Sequence, residues 1–539
     1  MSALCRIRKV PSERPAHNRR ERLFLLMRLG GIILGALVTA WLVFLSFPKA
    51  SHAGLAWIAL VPFLLGVSKI RGFWSSFFYG WFTAFLFHAG LFYWIYYTCV
   101  HGGGLSPLLS LGAWWGLCAV LSLQFACFGG SCYYLKKAGC FFPLLASCAF
   151  VTLEWLHQII AFYGLGFPWL MWGHTQWNVP ALLQIASYTG VYGISFMIVL
   201  VNGLGALAFA KGIRKASVGY LLTAVTIFLG LYIFGSHRLP VSVTKAGSDF
   251  KPLLNVEAAL MQPNIDQYKK WDEQFEQEIT NTLWQLGSRL ENERVMLSVW
   301  PESVLPGELT DEKYTNLMRN ILTVSGSYQV LGAAINQDGQ RYVGAYLIEP
   351  DGLLQSYRKI KLVPFGEYLP AGKLVRRVLP QADIMGENGE FIPGPTDQPL
   401  LNAGGVLLGT TICYEAIFPQ VWRLQTKQGA KLFVNLTNDA WFFDTAAPYQ
   451  HLAANVLRAV ENNRFVLRAA NTGFSAVIDP FGRVLQKSDL FALDLLRASV
   501  PLQISDTKNL YTRWGDWFAW LCVVVFISAL IPFVVFGYD

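Results

Sequence analysis

Gly405-Val406-Leu407-Leu408-Gly409-Thr410-Thr411-Ile412 is a short apolar run that ends on Cys413-Tyr414-Glu415. A run of this length bounded by turn residues reads as a buried strand. It predicts a thiol delivered at the carboxyl end of that strand and a carboxylate two residues later. Cys413 is the only cysteine between Cys148 and Cys522. With no disulfide partner in that stretch, it is either a buried structural thiol or a reactive one.

Outward from this run, strand-like and helix-like stretches alternate. Val256–Met261, Val295–Trp300, Gln329–Ala334, Val343–Ile348, Leu353–Tyr357, Val406–Cys413, Leu432–Leu436, Phe465–Ala470 and Ser475–Ile478 read as strands. Gln267–Leu290, Lys313–Thr323 and Gln450–Asn463 read as helices. An α/β domain is predicted over residues 236–514.

The rest of the chain has a different character. The 539 residues are 54% hydrophobic and only 14% charged, against about 25% charged in soluble proteins. Apolar segments lie at Leu29–Phe47, Ala53–Val67, Phe73–Val100, Leu105–Leu135, Cys140–Phe162, Tyr188–Ala210, Val218–Phe234 and Trp517–Phe536. Eight transmembrane helices are therefore expected, the second of them short. The domain plan is a basic tail at 1–23, a membrane domain of seven helices at 24–235, the α/β domain at 236–514, and a last membrane helix at 515–539.

The net charge of +9 has a local source: Arg6, Arg8, Lys9, Arg14, Arg19, Arg20, Arg22 and Arg28 precede the first span. No basic patch interleaved with aromatics recurs, so nucleic-acid binding is not expected. Lys69 and Arg71, Lys136 and Lys137, and Lys211, Arg214 and Lys215 follow alternate spans, with Lys49 as the single exception. The positive-inside rule then places both termini in the cytoplasm and the α/β domain outside. Glu154, within the fifth span with His157 one turn on, reads either as a functional intramembrane carboxylate lining a lipid entrance or as a structural hydrogen-bonding group.

Three predicted strand ends carry reactive side chains: Trp300-Pro301-Glu302, Lys359 with Lys361, and Cys413. A thiol nucleophile needs a base and an oxyanion partner, and strand carboxyl ends in α/β sheets form ligand crevices. Alternation puts both lysines on one face, so spacing does not choose between them. After His237 only His451 remains, which is the sole histidine available for a cysteine–histidine dyad. There is no metal-ligand spacing and no phosphate-cradling glycine loop, and no cofactor is implied.

Glu302 in Trp-Pro-Glu, Lys359 eight residues before Glu367, and Cys413 in Ile-Cys-Tyr-Glu resemble the Glu–Lys–Cys triad of the nitrilase (carbon-nitrogen hydrolase) superfamily. Gly166-Phe167-Pro168-Trp169-Leu170, Asn438-Asp439-Ala440-Trp441-Phe442, Gln450-His451, Arg468-Ala469-Ala470-Asn471-Thr472-Gly473 and Tyr511-Thr512-Arg513-Trp514-Gly515-Asp516 are similar to its membrane-embedded branch, the apolipoprotein N-acyltransferase family. The resemblance implies a nitrilase-like αββα sandwich and selects Lys359 over Lys361. It implies that Glu367, Tyr414 and Glu415 support the triad. It places Trp271 on a loop at an acyl-chain entrance, with Asn438, Trp441 and Phe442 on a second loop. Phe443 and Ala447 stand where glycines are expected in that second loop.

The implied reaction is a two-step acyl transfer through a thioester on Cys413. The donor is phosphatidylethanolamine or a similar phospholipid, and the acceptor is the α-amino group of a diacylglyceryl-cysteine on an apolipoprotein. The implied location is the bacterial inner membrane, and a monomer is expected. Lys359 beside the thiol is expected to lower its pKa and favour thiolate. A membrane-anchored amidase shares the triad; a non-catalytic lipoprotein-binding scaffold would keep the three side chains apart.

Overall fold

The computed structural model describes residues 16–210, 215–240, 254–352, 354–370, 372, 377, 390–502 and 508–535. The basic residues Arg6, Arg8, Lys9 and Arg14, the loop residues Lys211 and Arg214, and parts of the predicted domain boundaries lie outside these.

Helices occupy every predicted apolar segment: Ala16–Ser46, Val61–Lys69, Phe73–Leu91, Pro107–Leu135, Phe142–Phe162, Val191–Ala210, Lys215–Arg238 and Trp517–Val535. Four stretches of helix are long and apolar enough to cross a bilayer: Leu26–Ser46, the continuous stretch Pro107–Phe162, Val191–Ala210 and Lys215–Arg238. Many of their large apolar side chains, such as Trp41, Val120 and Leu222, are exposed, as lipid-facing residues are. The chain is a membrane protein with a helical region and an α/β domain. Arg28 donates to the carbonyl of Lys69, and the Lys136 ammonium caps the carbonyls of Val67 and Ile70 at 3.2 and 2.5 Å. These basic groups thus gather at one end of the helices. Lys49, the exception in the charge pattern, sits at the other end of the first helix and pairs with Asp444 of the α/β domain at 2.7 Å.

The α/β domain holds two six-stranded sheets. The first contains β1 (Leu254–Gln262), β2 (Leu297–Val299), β3 (Tyr328–Gln337), β4 (Gln340–Ile348), β5 (Leu354–Arg358) and β12 (Asp494–Leu502), in the order β12-β1-β2-β3-β4-β5. The second contains β6 (Leu401–Ala403), β7 (Val406–Ile412), β8 (Leu432–Thr437), β9 (Phe465–Ala470), β10 (Ala476–Ile478) and β11 (Val484–Lys487), in sequential order. Period-two alternation assigns the faces. Along β1, Val256, Ala258 and Leu260 enter the main core with Ile412, Leu436 and Val466 of the second sheet. Ala259 and Met261 face the outer helices through Leu283, Leu286 and Ile321. Those helices are Glu276–Ser288 and Glu312–Ser325; Pro419–Gln428 and Ala447–Asn462 belong to the second sheet's side.

The expected helix Gln267–Leu290 is a helix only from Glu276. Residues 267–271 form a turn, because Gln267 and Ile265 hydrogen-bond to Asn438 and Asn471 at 2.6 and 2.8 Å. β6, β11, β12 and the helix Pro419–Gln428 were not anticipated from the sequence pattern.

Candidate active site

β1, β2 and β3 run parallel to one another, as do β7, β8 and β9. Their carboxyl ends carry the loops that bear Glu302, Cys413, Asn438 and Asn471. Glu302 follows β2 by three residues, and Gly332 of β3 lets its loop sit close. A Cβ at Gly332 would stand 2.6 Å from the Glu302 Cα, inside van der Waals contact, so glycine is required there.

Lys359 is fully buried and donates to Glu302 Oε1 at 3.1 Å and to Glu367 Oε1 at 2.6 Å. Burial alone would depress its ammonium, but the two carboxylates outweigh it and hold it above the ordinary lysine value. Burial pushes the Glu367 carboxyl up, with Lys359 opposing. Glu367 Oε2 also accepts from the Val363 N–H at 2.8 Å. Lys361 does not share the face of Lys359. β5 ends at Arg358, so the alternation lapses, and Lys361 Nζ instead caps the carbonyl of Phe162 at 2.6 Å.

Cys413 opens a short 3₁₀ turn directly after β7 with φ of 46°. A non-glycine residue there carries strain of about 1–3 kcal/mol. The charges of Glu302 and Lys359 both bear on the thiol, which brings the three predicted groups into one site. The expected direction of the thiol's pKa is corrected. Burial pushes it above the ordinary cysteine value, Glu302 adds to that, and Lys359 opposes without reversing it. These surroundings favour the thiol form of Cys413 over the thiolate.

Glu415 lies beneath this turn. It accepts from the N–H groups of Ile412, Ile360 and Lys361 at 2.8, 2.6 and 3.2 Å and from the Tyr357 hydroxyl at 3.0 Å. It therefore ties the loop carrying Lys359 to the turn carrying Cys413. Burial pushes its carboxyl up to about 7, with the Ile412 N–H and the Lys359 charge opposing. Tyr414 stacks on Phe167 and Trp169, with ring centroids 6.0 and 6.4 Å away.

His451 forms no dyad with the thiol. Its Nε2 donates to the backbone carbonyl of Cys413 at 2.9 Å, and its Nδ1 lies 2.9 Å from Asp439 Oδ1. Arg468 completes the set, 2.7 Å from Asp439 Oδ2. Burial would raise the Asp439 carboxyl, but Arg468 and His451 hold it below the usual range. The sequence left His451 as the sole histidine open to a dyad; its place as a backbone clamp depends on the packing of Ala447–Asn462 against the Cys413–Ile417 turn and was not legible in the pattern.

The loop residues divide. Asn438 is buried, bonded to Gln267 and Asn471. Trp271 is 63% exposed and Trp441 37% exposed, and Phe442 packs on Trp94 and Trp169. Phe443 has φ of 52° and ψ of −161°, a region natural to glycine, which is the physical basis of the glycine expectation. Ala447 begins a helix and needs no such freedom. Both loops abut the helical region: the Tyr268 hydroxyl donates to the His101 carbonyl, and the Thr98 hydroxyl donates to the Trp441 carbonyl at 3.2 Å. Glu154 is buried, accepts from the Trp172 N–H at 2.8 Å and lines a cavity among the helices with His88, His157 and Trp172.

A two-sheet α/β domain carrying a buried Glu–Lys–Cys cluster, joined to a bundle of apolar helices, defines a membrane-bound carbon-nitrogen hydrolase type. Residues 257–508 match the carbon-nitrogen hydrolase family model, and residues 17–204 match that of the apolipoprotein N-acyltransferase N-terminal domain. The apolipoprotein N-acyltransferase of Geobacter metallireducens is 35% identical over 91% of this chain and 93% of its own. That of Chlorobaculum tepidum is 29% identical over 93% and 94%. An amidase structure from Nesterenkonia sp. is 22% identical, with a TM-score of 0.36 over 49% of this chain and 94% of that one. The chain belongs to the apolipoprotein N-acyltransferase family.

Proposed function

We propose that the protein N-acylates the diacylglyceryl-cysteine at the N-terminus of apolipoproteins, with a phospholipid, phosphatidylethanolamine foremost, as acyl donor. The observation that carries this is the meeting of Glu302, Lys359 and Glu367 beside Cys413 at the face of the α/β domain that abuts the apolar helices.

In the first half-reaction Glu302 takes the thiol proton as Sγ bonds to the ester carbonyl carbon. Lys359 and the Tyr414 N–H stabilise the oxyanion, each such donor contributing roughly 3 kcal/mol. The C–O bond breaks, and Glu302 returns the proton to the departing lysophospholipid. In the second, the acceptor amine attacks the thioester, Glu302 takes its proton, the C–S bond breaks and the thiol is restored. Glu367 holds Lys359, and Trp271, Trp441 and Phe442 guide the chains.

The proposed setting is the bacterial inner membrane, crossed by eight helices, with both termini cytoplasmic, the α/β domain periplasmic and the protein a monomer. In support, Arg28, Lys69 and Lys136 gather at the end of the bundle away from Asp444, as the positive-inside rule requires. A membrane amidase would release the acyl group to water instead. Intact-mass analysis after incubation with phospholipid tests the proposal. A hydroxylamine-labile acyl adduct is expected on Cys413, absent in Cys413→Ala, and stable until an amine acceptor is added. No adduct in the wild type with phospholipid bound refutes it; rapid hydrolysis selects the amidase.

A further inference from the structure

One charged group in the site has no role in the chemistry above. Lys270, in the turn after β1, is only 2% exposed. Its ammonium lies 5.3 Å over the ring of Trp271. Among the described residues no carboxylate comes within ion-pair distance of it, and the charge of Glu302 is the one that bears on it. Burial lowers its pKa to about 8, with Glu302 opposing, so it is cationic at neutral pH. A buried ammonium whose one contact is the face of an indole ring is costly unless an anionic partner arrives.

The surrounding turn is built rather than loose. The Lys270 N–H bonds to the Asp266 carbonyl at 3.1 Å. Gln267 is held by Asn438 at 2.6 Å, and Ile265 by Asn471 at 2.8 Å. The turn therefore carries a fixed cation on its buried side and an exposed tryptophan beside it.

Charge decides what that cation receives. Glu302 and Glu367 share the one ammonium of Lys359, and the surroundings of Cys413 favour its thiol form. The phosphate of a lipid headgroup brought beside two carboxylates and one lysine meets net repulsion. A second cation within the field of Glu302 removes it. We propose that Lys270 binds the phosphate of the acyl-donor lipid and so orients its ester toward Cys413. This rests on the phospholipid donor proposed above.

The test compares donors with and without a phosphate. Thioester formation on Cys413 of the full-length protein in nanodiscs is timed with phosphatidylethanolamine and with diacylglycerol of the same chains. Lys270→Gln is expected to slow acylation from subsaturating phosphatidylethanolamine at least tenfold and to leave the diacylglycerol rate within twofold. Lys270→Arg is expected to recover most of the loss. Equal losses with both donors assign Lys270 to balancing the carboxylates and overturn the inference, as does an unchanged phosphatidylethanolamine rate. If Lys270→Gln does not fold, product inhibition of the wild type decides. Lysophosphatidylethanolamine is expected to inhibit at least tenfold more tightly than monoacylglycerol, and equal inhibition refutes the phosphate site. A wild type that forms no thioester from phospholipid refutes the donor assignment instead.

Discussion

Replacing His451 by alanine separates a backbone clamp from a catalytic base. The imidazole touches the nucleophile only through the carbonyl of Cys413, at 2.9 Å. Its removal leaves that buried acceptor unsatisfied, at about 1–3 kcal/mol. The released residue has φ of 46°, and the strain of about 1–3 kcal/mol that the clamp holds in place then favours relaxation away from the attacking geometry. These two terms share one cause and do not add in full. A shift of about 2–3 kcal/mol in the active conformer is expected, or roughly 30- to 150-fold in rate at about 1.4 kcal/mol per decade. Because His451 touches no substrate, the loss is expected in the maximal rate of thioester formation, with the half-saturating donor concentration unchanged. His451→Gln, which keeps a donor, is expected to recover part of it. Single-turnover acylation followed by intact mass reads both quantities. A rate within threefold of wild type refutes the clamp. A loss as complete as that of Cys413→Ala, with a limb lost from the pH–rate profile, identifies His451 as a base instead.

Thiolate absorbance near 240 nm, taken as the difference from Cys413→Ala, is expected to show no ionisation of Cys413 below about pH 9, above the unperturbed value of about 8.5; a step below pH 8 contradicts the burial argument. Glu367→Gln removes the carboxylate 2.6 Å from Lys359, and at about 1.5–3 kcal/mol for a hydrogen bond to a charged group thioester formation is expected to slow roughly 10- to 100-fold; an unchanged rate excludes Glu367 from positioning Lys359. Glu415 has a folded pKa of about 7, raised from 4.5, so its contribution to stability is fully present below the unfolded value and lost as pH rises through the folded one. The thermal midpoint of the wild type relative to Glu415→Gln is therefore expected to fall between pH 4.5 and 7, and a constant difference refutes the raised pKa. Gln450→Ala strands the indole N–H groups of Trp94 and Trp169, which donate to Gln450 Oε1 at 3.1 and 2.9 Å; at about 1–3 kcal/mol each a lower thermal midpoint is expected, and an unchanged midpoint shows that the two N–H groups find other acceptors.

Local periodicity carried much of the fold. β7, β8 and β9 are short apolar runs buried on both faces, and their extents differ from the sequence expectation by a residue or less. β12 escaped notice because it mixes Asp494, Arg497 and Pro501 with apolar residues; it lies at the end of its sheet, where a missing N–H is tolerated. Gln267–Phe275 has a helical composition, yet tertiary hydrogen bonds to Asn438 and Asn471 outbid it. The same non-local bonds bury Lys270, so nothing within its own stretch marks it. Lys359 and Lys361 are indistinguishable by spacing, and the end of β5 at Arg358 sends one to the carboxylates and the other to Phe162.

The helical region is a wall of the site as well as its anchor. Tyr414, directly after the nucleophile, stacks on Phe167 and Trp169. Lys361, two residues past Lys359, caps the Phe142–Phe162 helix at the Phe162 carbonyl. Gln450 reaches the indoles of Trp94 and Trp169 and the carbonyls of Pro48 and Leu91, while its neighbour His451 holds the nucleophile's own carbonyl. One helix turn thus fastens the membrane region on one side and the strained backbone of Cys413 on the other. An isolated α/β domain would keep Glu302, Lys359 and Glu367 but lose the aromatic face over Tyr414, opening that side to water. The proposed thioester survives to meet an amine only where water is held back, and Phe167 and Trp169 of the membrane region cover that side of Tyr414. The split between hydrolysis and transfer in this superfamily is therefore to be sought at Phe167, Trp169 and Gln450 rather than in the triad.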